Sequence, residues 1–135
     1  MILAVYYGHV AVVAILLEQK VDVNHQSEEF GYTALMYAAR AGNDKLVSML
    51  IASGAQAHHR CSYSWRPYEY EAGYSALMLA ADRNYREIVH MLLCAGADET
   101  EISKSYSEKG EVSYCLAEHF KSSKKLNKRS SKIYL

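Results

Sequence analysis

Two stretches of this chain are near-copies of one another. Residues 31–55 read GYTALMYAARAGNDKLVSMLIASGA, and residues 73–98 read GYSALMLAADRNYREIVHMLLCAGAD. Gly31, Tyr32, Ala34, Leu35 and Met36 align with Gly73, Tyr74, Ala76, Leu77 and Met78. Ala38, Ala39, Val47, Leu50, Gly54 and Ala55 align with Ala80, Ala81, Val89, Leu92, Gly96 and Ala97. Tandem copies of a short unit constrain the fold more than composition does, because one such unit cannot bury its apolar face alone.

Each copy carries the signals of two helices. Thr33 and Ser75 precede runs of strong helix formers and can cap them with their hydroxyls. Gly42 ends the first helix of unit two. Asn84 takes that place in unit three, and asparagine is the residue that best tolerates left-handed dihedrals after glycine. Asn43 or Asp44 then opens a second helix. Its apolar positions, Leu46, Val47, Leu50 and Ile51, form one stripe at helical spacing, as do Ile88, Val89, Leu92 and Leu93. Gly54 and Gly96 stop these helices. Ala38 and Ala39 keep the inner face small and let neighbouring helices approach.

The flanking units are less regular. Gly8-His9, Val12-Val13, Leu16-Leu17 and Val21–Asn24 follow the same order, and Gly8 lies 34 residues before Gly42. Met1 then corresponds to Leu35, so unit one starts inside its first helix without the Gly-Tyr-Thr-Ala turn. The face of Ile2, Leu3 and Val5 is expected to be uncovered. Lys20 stands where the stop glycine belongs, a strained left-handed position for lysine. A degenerate fourth unit can be laid on 110–120, and beyond it Lys125 and Arg129 fall where Leu46 and Leu50 stood, so the second helix has lost its apolar stripe. Residues 121–135 are a basic tail expected to fray. The expected array covers 1–120, with units about 1–30, 31–72 and 73–109 before the degenerate one. Unit two carries an inserted loop at 56–72.

These units resemble ankyrin repeats. The matching residues are Gly31, Thr33, Leu35, Ala38, Ala39, Gly42, Val47, Leu50, Gly54 and Ala55 in unit two. In unit three they are Gly73, Leu77, Ala80, Ala81, Ile88, Val89, Leu92, Leu93, Gly96, Ala97 and Asp98. In unit one they are Gly8, His9, Val13, Leu16, Leu17, Asp22, Val23 and Asn24. The Pro-Leu-His helix opening of the family is Ala-Leu-Met in both full copies. The resemblance implies an all-α solenoid of stacked helix-turn-helix units with short β-turn fingers. It also implies a non-catalytic scaffold for protein–protein interaction.

Composition bounds the alternatives. Fifteen basic and fifteen acidic side chains cancel, so the chain as a whole does not advertise nucleic-acid binding. The basic tail alone reads as a solvated terminus, since it lacks interleaved aromatics. No 18-residue uncharged apolar run is present, so no membrane insertion is expected. The apolar start lacks a basic n-region and is interrupted by Gly8-His9, against a signal peptide. Three scattered cysteines point to a reducing compartment, and a cytoplasmic location is expected, with the nucleus open. No phosphate loop, His-Glu-x-x-His or Gly-x-Ser-x-Gly motif occurs, and no enzyme or cofactor is expected. His58, His59 and Cys61 could offer three ligands to zinc, but no fourth lies at a usual spacing and Arg60 sits among them. The plainer reading is a polar loop with a free cysteine. Cys94 and Cys115 read as small core residues.

In family members that bind proteins, contacts come from finger residues around the turn glycine and from the end of the first helix. The resemblance maps these onto Tyr6 and Tyr7, onto Phe30, Tyr32 and Arg40, and onto Tyr74, Asp82 and Arg83. Tyrosine and arginine held rigidly at exposed sites are favoured at interfaces. Tyr32 and Tyr74 have a second reading, in which they pack between adjacent turns and extend the core. Tyr37 and Leu79 read as inner-helix core. The insert adds Tyr63, Trp65, Tyr68 and Tyr70, which must pack on a partner or back onto the array. The expected partner is a protein of unknown identity, bound by a monomeric array. The alternatives are a targeting arm of a larger enzyme, or a degenerate piece of a longer array.

Overall fold

The computed structural model describes residues 1–62 and 73–98. Tyr63, Trp65, Tyr68 and Tyr70, the unit at 110–120 and the tail lie outside the described residues. Six helices and no strand occur among the described residues: α1 (Ile2–Tyr6), α2 (Val10–Glu18), α3 (Ala34–Ala41), α4 (Asp44–Ala52), α5 (Ala76–Asp82) and α6 (Arg86–Cys94). They form three helix pairs. The inner helices α1, α3 and α5 pack in a row, and the outer helices α2, α4 and α6 pack in a second row. None is long and apolar enough to cross a membrane.

Local chemistry sets the helix ends. Thr33 Oγ1 accepts the Met36 N–H at 3.3 Å, and Ser75 Oγ accepts that of Met78 at 3.4 Å. Asn43 is the cap of α4, its Oδ1 accepting the Leu46 N–H at 3.1 Å. Each of these satisfies a backbone donor that the helix itself leaves orphaned. Neither α1 nor α2 has a side-chain cap. Gly42 closes α3 in the left-handed region at φ 72°. A methyl group there would stand 2.6 Å from the ring of Tyr85 in the next unit, so glycine serves both conformation and stacking. Asn84 holds the position equivalent to Gly42 in unit three at φ 61°, and Lys20 holds the position equivalent to Gly54 in unit one at φ 55°.

The core is one contiguous cluster running through all three units. Ala38, Ala39, Ala80 and Ala81 are buried at the inner-row contacts, where a larger side chain would hold α1, α3 and α5 apart. Leu46, Val47 and Leu50 of α4 and Ile88, Val89 and Leu92 of α6 are buried as the outer stripe. Val5 is buried too, which corrects the expectation that it would share the exposure of its helix face. Its side chain belongs to the same core cluster as α3, and only Leu3 stands fully in solvent on that face. Cys94 corrects a second expectation. It is exposed, one turn from His90 on the side of α6 opposite the apolar stripe.

The fingers are held by backbone pairs. In the first, Ser27 donates to Tyr32 O at 2.9 Å, and Gly31 donates to Ser27 O at 2.8 Å. In the second, Cys61 donates to Tyr74 O and Gly73 donates to Cys61 O, both at 2.9 Å. Ser27 and Cys61 are 34 residues apart, while Tyr32 and Tyr74 are 42 apart. The second finger is therefore eight residues longer, and the added length lies between 61 and 74. Residues 56–61 continue the ordinary unit, with Asn24 and Gln56 and then Gln26 and Arg60 linking one finger to the next.

Candidate partner-binding surface

An aromatic ladder runs along the inner helices. Tyr6 and Tyr7 end α1, and their rings meet edge to face at 5.1 Å. Tyr6 meets Tyr37 of α3 the same way at 5.8 Å. Tyr37 in turn lies 5.0 Å from Tyr32, and Tyr32 lies 6.3 Å from Phe30 in the finger. On the other side, His9 stacks on Tyr7 at 6.2 Å. Edge-to-face rings gain from the positive edge of one facing the negative face of the next. The sequence puts these rings together through the repeat. Tyr6 and Tyr7 occupy the helix-end positions equivalent to Arg40 and Ala41, and α1 packs directly on α3.

Exposure divides the ladder. Tyr7 is 68% exposed and Tyr6 46%. Phe30 is half-buried, while Tyr37 and Tyr32 are buried. The expectation that Tyr32 and Tyr74 sit at exposed finger tips is corrected. Tyr32 has no exposed surface and Tyr74 very little, so both lie in the core between turns. Their backbones pair with Ser27 and Cys61, which turns the rings inward. They can support a contact surface without forming part of it. Arg40 is half-buried in the last turn of α3 and Arg83 half-buried just past α5, with Asp82 exposed beside it.

Tyr37 joins the ladder to the charged rim. Burial, the strongest cause, pushes its phenol up, and Glu29 and Tyr6 act in the same direction. A hydrogen bond with Ser27 and the Arg40 guanidinium oppose them. The hydroxyl is therefore held neutral, a hydrogen-bonding group at the floor of the surface. Reading the sequence as core at position 37 missed this polar end. His9 was missed as well. The available signal for both was their place beside Tyr6 and Tyr7 once the units are overlaid.

The histidine–cysteine stretch is arranged differently. The His58 and His59 rings stack at 5.1 Å, whereas Cys61 is buried with its backbone held by Tyr74. Among the described residues no group of three or more His, Cys, Asp or Glu is placed to hold a metal ion.

A family model for ankyrin repeats, in three copies, matches residues 1–102. The chain belongs to the ankyrin-repeat family. Ankyrin repeats generally mediate protein–protein interaction, and the family is generally non-enzymatic. This ankyrin-repeat chain is similar to ankyrin repeat and SAM domain-containing protein 6 of Mus musculus, at 32% identity over 69 residues. The same protein of Rattus norvegicus is also 32% identical over 69 residues. These matches cover 51% of the present chain and 8% of each relative, so the chain spans less than a tenth of the relatives' length.

Proposed function

We propose that this ankyrin-repeat chain is a non-catalytic interaction module whose contact surface centres on Tyr6 and Tyr7. The observation that carries the reading is the pairing of two exposed tyrosines with a buried support. Tyr6 leans on Tyr37, and Tyr37 leans on Tyr32 in the core. Rings held this way lose little side-chain entropy when a partner covers them, which is why tyrosine is efficient at interfaces. Arg40, Asp82 and Arg83 supply a charged rim along the same inner-helix ends. The insert residues Tyr63, Trp65, Tyr68 and Tyr70 extend the proposed surface, since Ser62, just before them, donates its backbone N–H to the Phe30 carbonyl of finger one. The array works as a preformed display, located in the cytoplasm. It binds as a monomer, and the bound partner is a protein.

Capture from cell extract tests this, comparing the native chain with Tyr6→Ala/Tyr7→Ala. A partner retained by the native chain is lost by the double variant, while the melting curve stays within a few degrees because Tyr7 is largely exposed and Tyr6 nearly half exposed. Equal capture by both chains would remove Tyr6 and Tyr7 from the surface. A second reading rests on the relatives, whose name couples ankyrin repeats with a SAM domain. In it, the array is the targeting arm of a larger multidomain protein.

A further inference from the structure

The outer row carries a pair of donor side chains that the partner surface does not use. On α6, His90 and Cys94 are both exposed and stand one turn apart, on the side opposite the buried Ile88, Val89 and Leu92. Cys94 Sγ lies 3.9 Å from each ring nitrogen of His90. Nothing in the repeat calls for this pair. The equivalent residues are Ser48 and Ala52 in α4, and Ala14 and Glu18 in α2, and those helices pack in the same row. The stack therefore forms without an imidazole or a thiol at either place.

Imidazole and thiolate are the donors that zinc-type ions prefer. A tetrahedral ion bound about 2.3 Å from sulfur and about 2.0–2.1 Å from nitrogen holds those two donors about 3.6 Å apart. The 3.9 Å separation on α6 is slightly wider, and a small rotation of the His90 ring closes the difference. The helix backbone already sets the two side chains one turn apart, so chelation has only side chains to order. Arg86 and Glu87, a turn earlier, carry opposite charges and leave no net repulsion toward a cation. No third His, Cys, Asp or Glu joins the pair among the described residues, so the remaining positions of the ion are open to water.

We propose that His90 and Cys94 form an open chelate for a zinc-type divalent cation on the outer face of unit three. Cys94 binds as the thiolate and gives its proton to water, and His90 binds through one neutral ring nitrogen. The bound ion clips one turn of α6 to the next. Tyr6 and Tyr7 lie at the end of α1, in unit one of the inner row, so the chelate stands whether or not those tyrosines bind a partner.

The test adds a zinc or cobalt(II) salt alone to the reduced full chain. Cobalt gives thiolate charge-transfer absorption that saturates at one ion per chain. Cys94→Ser abolishes that absorption, and His90→Ala weakens binding about tenfold or more. Both side chains are exposed, so the metal-free variants melt within about 2 °C of the native chain. A second measurement needs no variant. Zinc slows alkylation of Cys94 by iodoacetamide about tenfold or more, located by peptide mass spectrometry, because a metal-bound thiolate is not free to attack. The proposal is overturned if cobalt gives no thiolate absorption, or if that absorption survives Cys94→Ser. It is equally overturned if His90→Ala binds cobalt as tightly as the native chain, or if zinc leaves the alkylation rate of Cys94 unchanged.

Discussion

Unit one and unit two have the same helix order, the same inter-helix turn and the same kind of outer stripe, but they differ in how that stripe is used. In α4, Leu46 and Val47 are both buried; in α2, Val13 is buried and Val12 is not. The adjacent apolar pair thus reports two neighbours, one on each side of the array. Apolar content is higher in unit one, yet less of it is covered. Burial in a stack depends on neighbours and not on the hydrophobicity of a unit taken alone. The consequence for stability is that units two and three hold the array, while unit one rests on unit two.

Equivalent truncations test that division most strongly. Leu46→Ala removes buried methyl groups between two helix pairs and should cost about 2–5 kcal/mol. Val12→Ala at the equivalent position should change stability by no more than about 0.5 kcal/mol, because the side chain is half solvated and alanine is the better helix former. Chemical denaturation of both variants checks the pair. Equal losses would mean that the unit-one face is as well covered in solution as that of unit two.

The inter-helix turn gives a second pairing. Gly8 and Gly42 share nearly the same backbone, at φ 73° and 72°. A methyl group at Gly8 meets nothing within 4 Å, whereas one at Gly42 meets the Tyr85 ring at 2.6 Å. Gly8→Ala should cost about 1 kcal/mol, the usual penalty of a left-handed non-glycine residue. Gly42→Ala should cost about 2 kcal/mol, since Tyr85 must also leave its place. Melting temperatures of the two variants, with Gly42→Ala the lower, would establish that unit three leans on the turn of unit two.

Much of this was legible before the structure, and the reason is local. Caps at Thr33 and Ser75, the left-handed turns at Gly42 and Asn84 and the stripe of α4 follow from backbone chemistry within a few residues. The family match agrees with the repeat spacing. What was not legible depended on which side of a residue the neighbours fall. Tyrosine is at home in a core or on a rim, so Tyr32 and Tyr74 could be assigned to either until the finger pairings turned them inward. Cys94 sits one residue past a buried stripe, and the helical period carries it to the exposed side. Val5 was assigned to an open face because its helix was considered without the α3 surface beneath it. The length of the second finger was visible, but its placement between 61 and 74 needed the Cys61–Tyr74 pair.

The smallest expected effect concerns how unit one ends. Units two and three close their outer helices with Gly54 and Gly96, while unit one uses Lys20 at φ 55°. The side chain of Lys20 is exposed, so replacing it loses no packing. A non-glycine residue in the left-handed region is strained by about 1–2 kcal/mol. Glycine relieves that strain but leaves the unfolded chain freer by about 0.4–1 kcal/mol. Lys20→Gly should therefore stabilise the array by a few tenths to about 1 kcal/mol, read as a rise in the denaturant midpoint at constant slope. Because unit one rests on unit two, that gain should appear as slower amide exchange in α2 and leave α6 unchanged. Slower exchange in α6 to the same extent would show that the three units unfold as one body, and that the contrast between unit one and its neighbours is one of surface alone.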